Sequence, residues 1–131
     1  MARIGCYFTG TSLPAQPKEA LAPGTLRRIT QRIEEDLARK LTVEELAREA
    51  GLSRSHFSRV FQAATGQTPQ EFIIYRRVCR ARDLLAQDDR SIAEIAAATG
   101  FSSQAHLSTA FKKRLGLTPA RYRDAFQKKD W

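Results

Sequence analysis

From residue 25 onward the apolar positions fall at helical spacing. Leu26, Ile29, Ile33 and Leu37 recur three or four apart among Arg, Glu and Gln, which predicts an amphipathic helix over residues 25–39 packed on the next helices of the chain. Later stripes have the same period: Phe57, Val60, Phe61 and Ala64, then Ile74, Val78, Ala81 and Leu85, then Leu107, Ala110, Phe111 and Leu115. The middle stripe belongs to a helix over residues 69–86, with Arg76, Arg77, Arg80 and Arg82 largely off it. Residues 1–24 sustain no period and hold Pro14, Pro17, Pro23, Gly5, Gly10 and Gly24, which predicts a leader or linker.

The stripes belong to a repeat. LTVEELAREAGLSRSHFSRVFQAATGQTPQEF at 41–72 returns as SIAEIAAATGFSSQAHLSTAFKKRLGLTPARY at 91–122, one residue longer in its first turn. Each copy opens with a capping-box pattern, Thr42 with Glu45 and Ser91 with Glu94, in which the hydroxyl accepts from an orphan amide while the glutamate reaches back. Gly51 and Gly100 stand where a chain leaves a helix through left-handed backbone. Ser53, and Ser102 or Ser103, can then cap a second helix, and the small Ala47 and Ala96 let the pair cross closely. Two short helices joined in this way are a helix-turn-helix, placed at about 42–65 and 91–115. Each copy ends at Gly66 or Gly116 and restarts on Thr-Pro, a threonine cap with proline in the first turn.

Charge narrows the partners. Lys and Arg number 22 against 14 Asp and Glu, a formal charge of +8, the balance of a nucleic-acid or anionic-surface binder. No apolar run approaches the ~18–20 residues that span a bilayer and the first residues have no signal-peptide core, so a cytoplasmic location is expected. Cys6 and Cys79 lack metal-ligand spacing and are read as thiols, Cys79 packed and inert on the central helix. His56 and His106 hold matching places without further paired ligands, so no metal or cofactor is expected; a partly buried histidine bonded near the helix start fits better.

On the second helix of the first copy, Arg54, Ser55, Ser58, Arg59 and Gln62 face away from the apolar stripe. The set suits a DNA groove. Arg59 can donate two hydrogen bonds to guanine O6 and N7, Ser55 and Ser58 suit either base type, and Gln62 can address adenine or a phosphate. In the second copy Gln104, Ala105, His106, Ser108, Thr109, Lys112 and Lys113 remain outside. Thr109 stands where Arg59 does, while Lys112 and Lys113 strengthen the phosphate side. The first copy is therefore expected to supply more base specificity and the second more electrostatic anchoring. The central helix, roughly 27 Å long, could set both on neighbouring major-groove faces, about 34 Å apart, with DNA bending or partial engagement covering the difference.

With both motifs and the linking helix in place, the chain resembles the DNA-binding domain of the AraC/XylS family of bacterial transcription regulators over residues 25–124. The diagnostic stretch is AEIAAATGFSSQAHLSTAFKKRLGLTPARYR. The resemblance implies an all-α fold of seven helices in two helix-turn-helix subdomains joined by a long central helix, with residues 125–131 as a tail. It also implies monomeric binding to asymmetric double-stranded promoter DNA, and most often activation with a contact to RNA polymerase. Carried over, the base-reading positions fall on Ser55, Ser58 and Arg59 and on Gln104, Ala105, His106 and Thr109. Phosphate contacts fall on Arg54, Arg76, Lys112 and Arg123. Ser55 and Thr109 depart from the larger side chains of several members. Many members carry an effector-binding and dimerising domain ahead of this unit. A free-standing regulator and the C-terminal piece of a longer one both fit, and no ligand is evident in the chain.

Two other readings compete. A helical protein–protein adaptor would present apolar faces, whereas these are basic and hydroxyl-rich. An architectural DNA binder would rely on phosphate contacts, which carry no sequence information. An enzyme is not expected, because no paired carboxylates, nucleophile with its base, or phosphate-binding glycine loop stand out.

Overall fold

Proline opens the first helix. Pro23 lies in the first turn of α1 (Pro23–Glu35), where its missing N–H costs nothing, so the helix begins two residues before the sequence predicts. It also stops earlier. The expected last turn becomes a bend closed by the Arg39 N–H on the Asp36 carbonyl at 2.9 Å, from which Leu37 still reaches the core. The computed structural model describes residues 21–127. They form seven helices, continuing with α2 (Val43–Ala50), α3 (Arg54–Thr65), α4 (Pro69–Gln87), α5 (Ile92–Ala98), α6 (Gln104–Leu115) and α7 (Pro119–Gln127). The described residues are all-α, as expected. Helix α7 continues past residue 125, where a tail was expected; the proposed leader lies mostly outside the described residues.

The chain divides between Ile73 and Ile74 into two compact units, so that α4 begins in the first and continues in the second. In the first unit, Ile29, Ile33 and Leu37 pack on Val43, Leu46, Ala47, Phe57, Phe61, Phe72 and Ile73. Phe61 meets Phe72 edge to face at 5.4 Å between ring centroids. Arg32 pairs with Asp36 at 3.0 Å and with Glu49, tying α1 to α2 through charges as well as through the core.

The second unit repeats this core with substitutions. Ile95, Ala96, Phe101, Leu107, Ala110 and Phe111 close on Val78, Ala81 and Leu85 of α4. Phe111 meets Tyr122 edge to face at 5.6 Å, the counterpart of the Phe61–Phe72 pair. Each core thus holds an edge-to-face aromatic pair at matching positions.

Local chemistry sets the helix ends. Ser91 and Glu94 close the expected capping box with both reciprocal bonds, whereas at α2 only half of the expected box forms, the Thr42 hydroxyl accepting from the Glu45 N–H at 3.1 Å. A further box forms at α4, where Thr68 and Glu71 exchange bonds of 3.0 and 3.2 Å. Only a threonine cap is expected there from the sequence, although the Thr-x-x-Glu signature is visible in it. Both inner turns share one pattern: Leu52 N–H reaches the Ala47 carbonyl and Phe101 N–H the Ala96 carbonyl, each at 2.9 Å. Gly51 and Gly100 take φ of 77° and 91° there, backbone that a side chain would strain.

Two expectations for α4 are corrected. Arg82, placed off the apolar stripe by the sequence, is only 9% exposed. It comes four residues after Val78 and three before Leu85, on the side of the helix that those residues bury, and its Nη2 is buried with it. Its guanidinium lies 3.8 Å from Asp83. Cys79 is buried, as expected, but is disulfide-bonded rather than a thiol. The expectation for Cys6 lies outside the described residues.

Candidate nucleic-acid interface

The second helix of each pair carries a polar face opposite its buried stripe. On α3, Phe57, Val60 and Phe61 are buried, while Arg54, Ser55, Arg59 and Gln62 are exposed and Ser58 is half-buried. Ser55, Ser58, Arg59 and Gln62 recur three or four apart and share one side of the helix. Ser53 caps this helix by accepting from the His56 N–H at 3.2 Å. Arg54 stands in the first turn, its guanidinium 2.6 Å from the Glu44 carboxylate of α2 in an exposed pair. A bond from its own backbone, and after it that arginine, holds the Glu44 carboxyl below its usual range.

On α6, Leu107, Ala110 and Phe111 are buried, while Gln104, Ala105, His106, Thr109, Lys112 and Lys113 are exposed. Ser103 is the cap, accepting from the His106 N–H at 3.0 Å. The two copies distribute charge differently. The last turn of α6 carries Lys112, Lys113 and Arg114, and that of α3 carries no basic residue. Cations there complement the helix dipole, so the second helix gains stability from the residues expected to meet phosphates.

His106 is exposed, not partly buried as the sequence suggested. It does bond near the helix start: its Nδ1 lies 3.3 Å from the Ser102 hydroxyl, and its ring stands edge to face with Phe101 at 5.0 Å. His56 is half-buried. Among the described residues, no group of three or more His, Cys, Asp and Glu gathers at metal-binding distance, and no helix is long and apolar enough to cross a membrane.

The other two cations expected at phosphates are carried by α4 and α7. Arg76 on α4 is half-buried, with its guanidinium 5.9 Å from the Tyr75 ring centroid. Arg123 on α7 turns to the C-terminal end of α4, where its Nη2 donates to the Asp88 carbonyl at 2.9 Å and its Nε to the Leu85 carbonyl at 3.4 Å. Those carbonyls lack helical partners, and a cation at a helix C-terminus satisfies them. Ile73 holds the matching place in the first copy and is buried in its core. One register position thus serves packing in one copy and capping in the other.

The helix-turn-helix domain family matches residues 46–125. A putative AraC-like transcription regulator of Streptomyces lividans is 40% identical over 88 residues, covering 67% of this chain and 29% of that protein. The chain belongs to the AraC family of helix-turn-helix regulators. The probable transcription factor PqrA of Proteus vulgaris, 34% identical over 106 residues, pairs 79% of this AraC-type chain with 87% of its own length. The solved DNA-binding domain of AdpA, in complex with a target DNA, is 36% identical with a TM-score of 0.78, covering 81% of this chain and 96% of that one. Many AraC-type relatives are longer. The chain spans 36% and 41% of the length of two further regulators it matches.

Proposed function

We propose that this chain binds asymmetric double-stranded promoter DNA in the bacterial cytoplasm and regulates transcription there, as an activator in contact with RNA polymerase. Helix α3 enters a major groove and reads bases through Ser55, Ser58, Arg59 and Gln62. Helix α6 reads through Gln104, Ala105, His106 and Thr109. Arg54, Arg76, Lys112 and Lys113 meet phosphates, whereas Arg123 serves the end of α4. The observation that carries this reading is the polar, cation-bearing face on the second helix of both helix-turn-helix pairs, exposed opposite a fully buried aromatic core. The likeness to a domain solved on its target DNA supports it.

Selection from a random duplex pool at near-physiological salt tests the proposal. An enriched, non-palindromic motif is expected, and its width shows whether one module reads or both. Binding without enrichment would leave an architectural role in its place, since phosphate contacts alone do not discriminate sequences.

A further inference from the structure

The second module lacks the arginine of the first, yet its inner turn is one residue longer. Aligned by their capping serines, Ser53 and Ser103, the two turns differ by the insertion of Ser102. That inserted serine is the residue whose hydroxyl meets His106 Nδ1 at 3.3 Å. The residue before it, Phe101, is buried and stands edge to face with the histidine ring at an interplanar angle of 87°. In the first module Leu52 occupies the place of Phe101, and His56 is half-buried. The insertion and the Leu-to-Phe exchange therefore hold an exposed imidazole from two sides.

From this arrangement we infer that His106 is the principal base-reading group of the second module, donating from Nε2 to a purine acceptor in the major groove, with Ser102 as its positioning residue. The inference rests on the DNA-binding function proposed for the chain. With Nδ1 occupied by Ser102, Nε2 is the nitrogen left for a ligand. It is a donor both in the imidazolium and in the neutral tautomer whose Nδ1 accepts from Ser102. Purine N7, presented on the groove floor by both adenine and guanine, is the matching acceptor. The ring held by Phe101 and Ser102 loses little freedom on binding, which offsets the absence of a second hydrogen bond.

The test uses the full chain and a duplex carrying the selected motif, with 7-deazapurines substituted one position at a time to remove the N7 acceptor. One substitution in the second module's part of the site is expected to weaken the wild-type protein about three- to ten-fold, the range for losing one hydrogen bond. His106→Ala should lose a similar factor on the unmodified duplex and be indifferent to that substitution. Ser102→Ala should lose about two-fold at the same base pair, lose nothing further in the His106→Ala background, and be rescued by Ser102→Thr. Thermal unfolding of each variant separates these effects from misfolding, and His56→Ala is the control expected to leave deazapurine sensitivity unchanged. If His106→Ala keeps wild-type affinity and the full deazapurine profile, His106 reads no base, although sequence-specific binding stands. A uniform loss across all sequences would make it a phosphate ligand and overturn the inference. Selection without any enriched duplex would remove both the inference and the function it rests on.

Discussion

Where α3 of the first module carries Arg59, α6 of the second carries Thr109, and where α3 has Gln62 and Ala63, α6 has Lys112 and Lys113. Beneath these faces the two modules agree. Phe61 and Phe111 are fully buried at matching positions, each edge to face with an aromatic ring from the next helix. The comparison separates two kinds of constraint. Inner positions must fill a closed volume, so they change only where neighbouring side chains compensate, as Leu107 stands fully buried in the place of Phe57. Outer positions answer only to solvent and to the partner, so one fold can carry a guanidinium in one copy and a lysine pair in the other.

The largest expected effect tests whether the two cores are equivalent. Phe61→Ala and Phe111→Ala should each destabilise their own unit by about 3–5 kcal/mol in urea titrations. A large loss in one unit with a negligible loss in the other would break the equivalence. The difference between the reading faces comes next. Arg59→Ala should weaken the selected duplex by about 1–3 kcal/mol and leave random DNA almost unchanged, while Thr109→Ala, with one hydroxyl to lose, should cost about 1 kcal/mol or less. Equal losses for Arg59→Ala on both DNAs would remove its base-reading role.

Two basic residues of the second unit sharpen the contrast further. Arg123→Ala should lower the stability of that unit by about 1–2 kcal/mol, a charge-assisted value reduced for partial exposure, and leave the salt slope of DNA binding unchanged. Lys112→Ala should do the reverse, costing at most about 0.5 kcal/mol of stability through the helix dipole while reducing the salt slope by about one on every sequence. A fall in slope for Arg123→Ala would return that residue to the phosphate contacts.

The smallest effect concerns acid. In the first unit, Glu44 is held below its ordinary value by its own backbone and by Arg54; in the second, Asp88 is held down by the Arg90 amide and then its side chain. A carboxyl lowered by folding stabilises the native state above its unfolded pKa and loses that contribution as pH falls through its folded one. Stability should therefore decline below the ordinary values of 4.5 and 3.8. Glu44→Gln and Asp88→Asn should each flatten that decline, read by denaturation at stepped pH.

The sequence alone determined where the helices lie, most of their caps and the stripe that the second helix of each pair buries. These are local properties: a serine or threonine three residues before a glutamate, a glycine at a helix exit, an apolar residue every three or four positions. The repeat made the two motifs legible, and the same face counting found the exposed groups of α3 and α6. Tertiary structure decided what depends on elements meeting far apart in the chain. Arg123 bonds carbonyls 35 and 38 residues away, which no local pattern encodes. Arg82 lies under the second core because α4 turns that side inward, and Cys79 is bonded although no spacing signalled it. His106 is the intermediate case: its extra serine is visible as a one-residue insertion, but only the folded turn brings that hydroxyl and the Phe101 ring to the imidazole. Periodicity records which side of a helix avoids water, whereas contacts between helices depend on how the finished cores close.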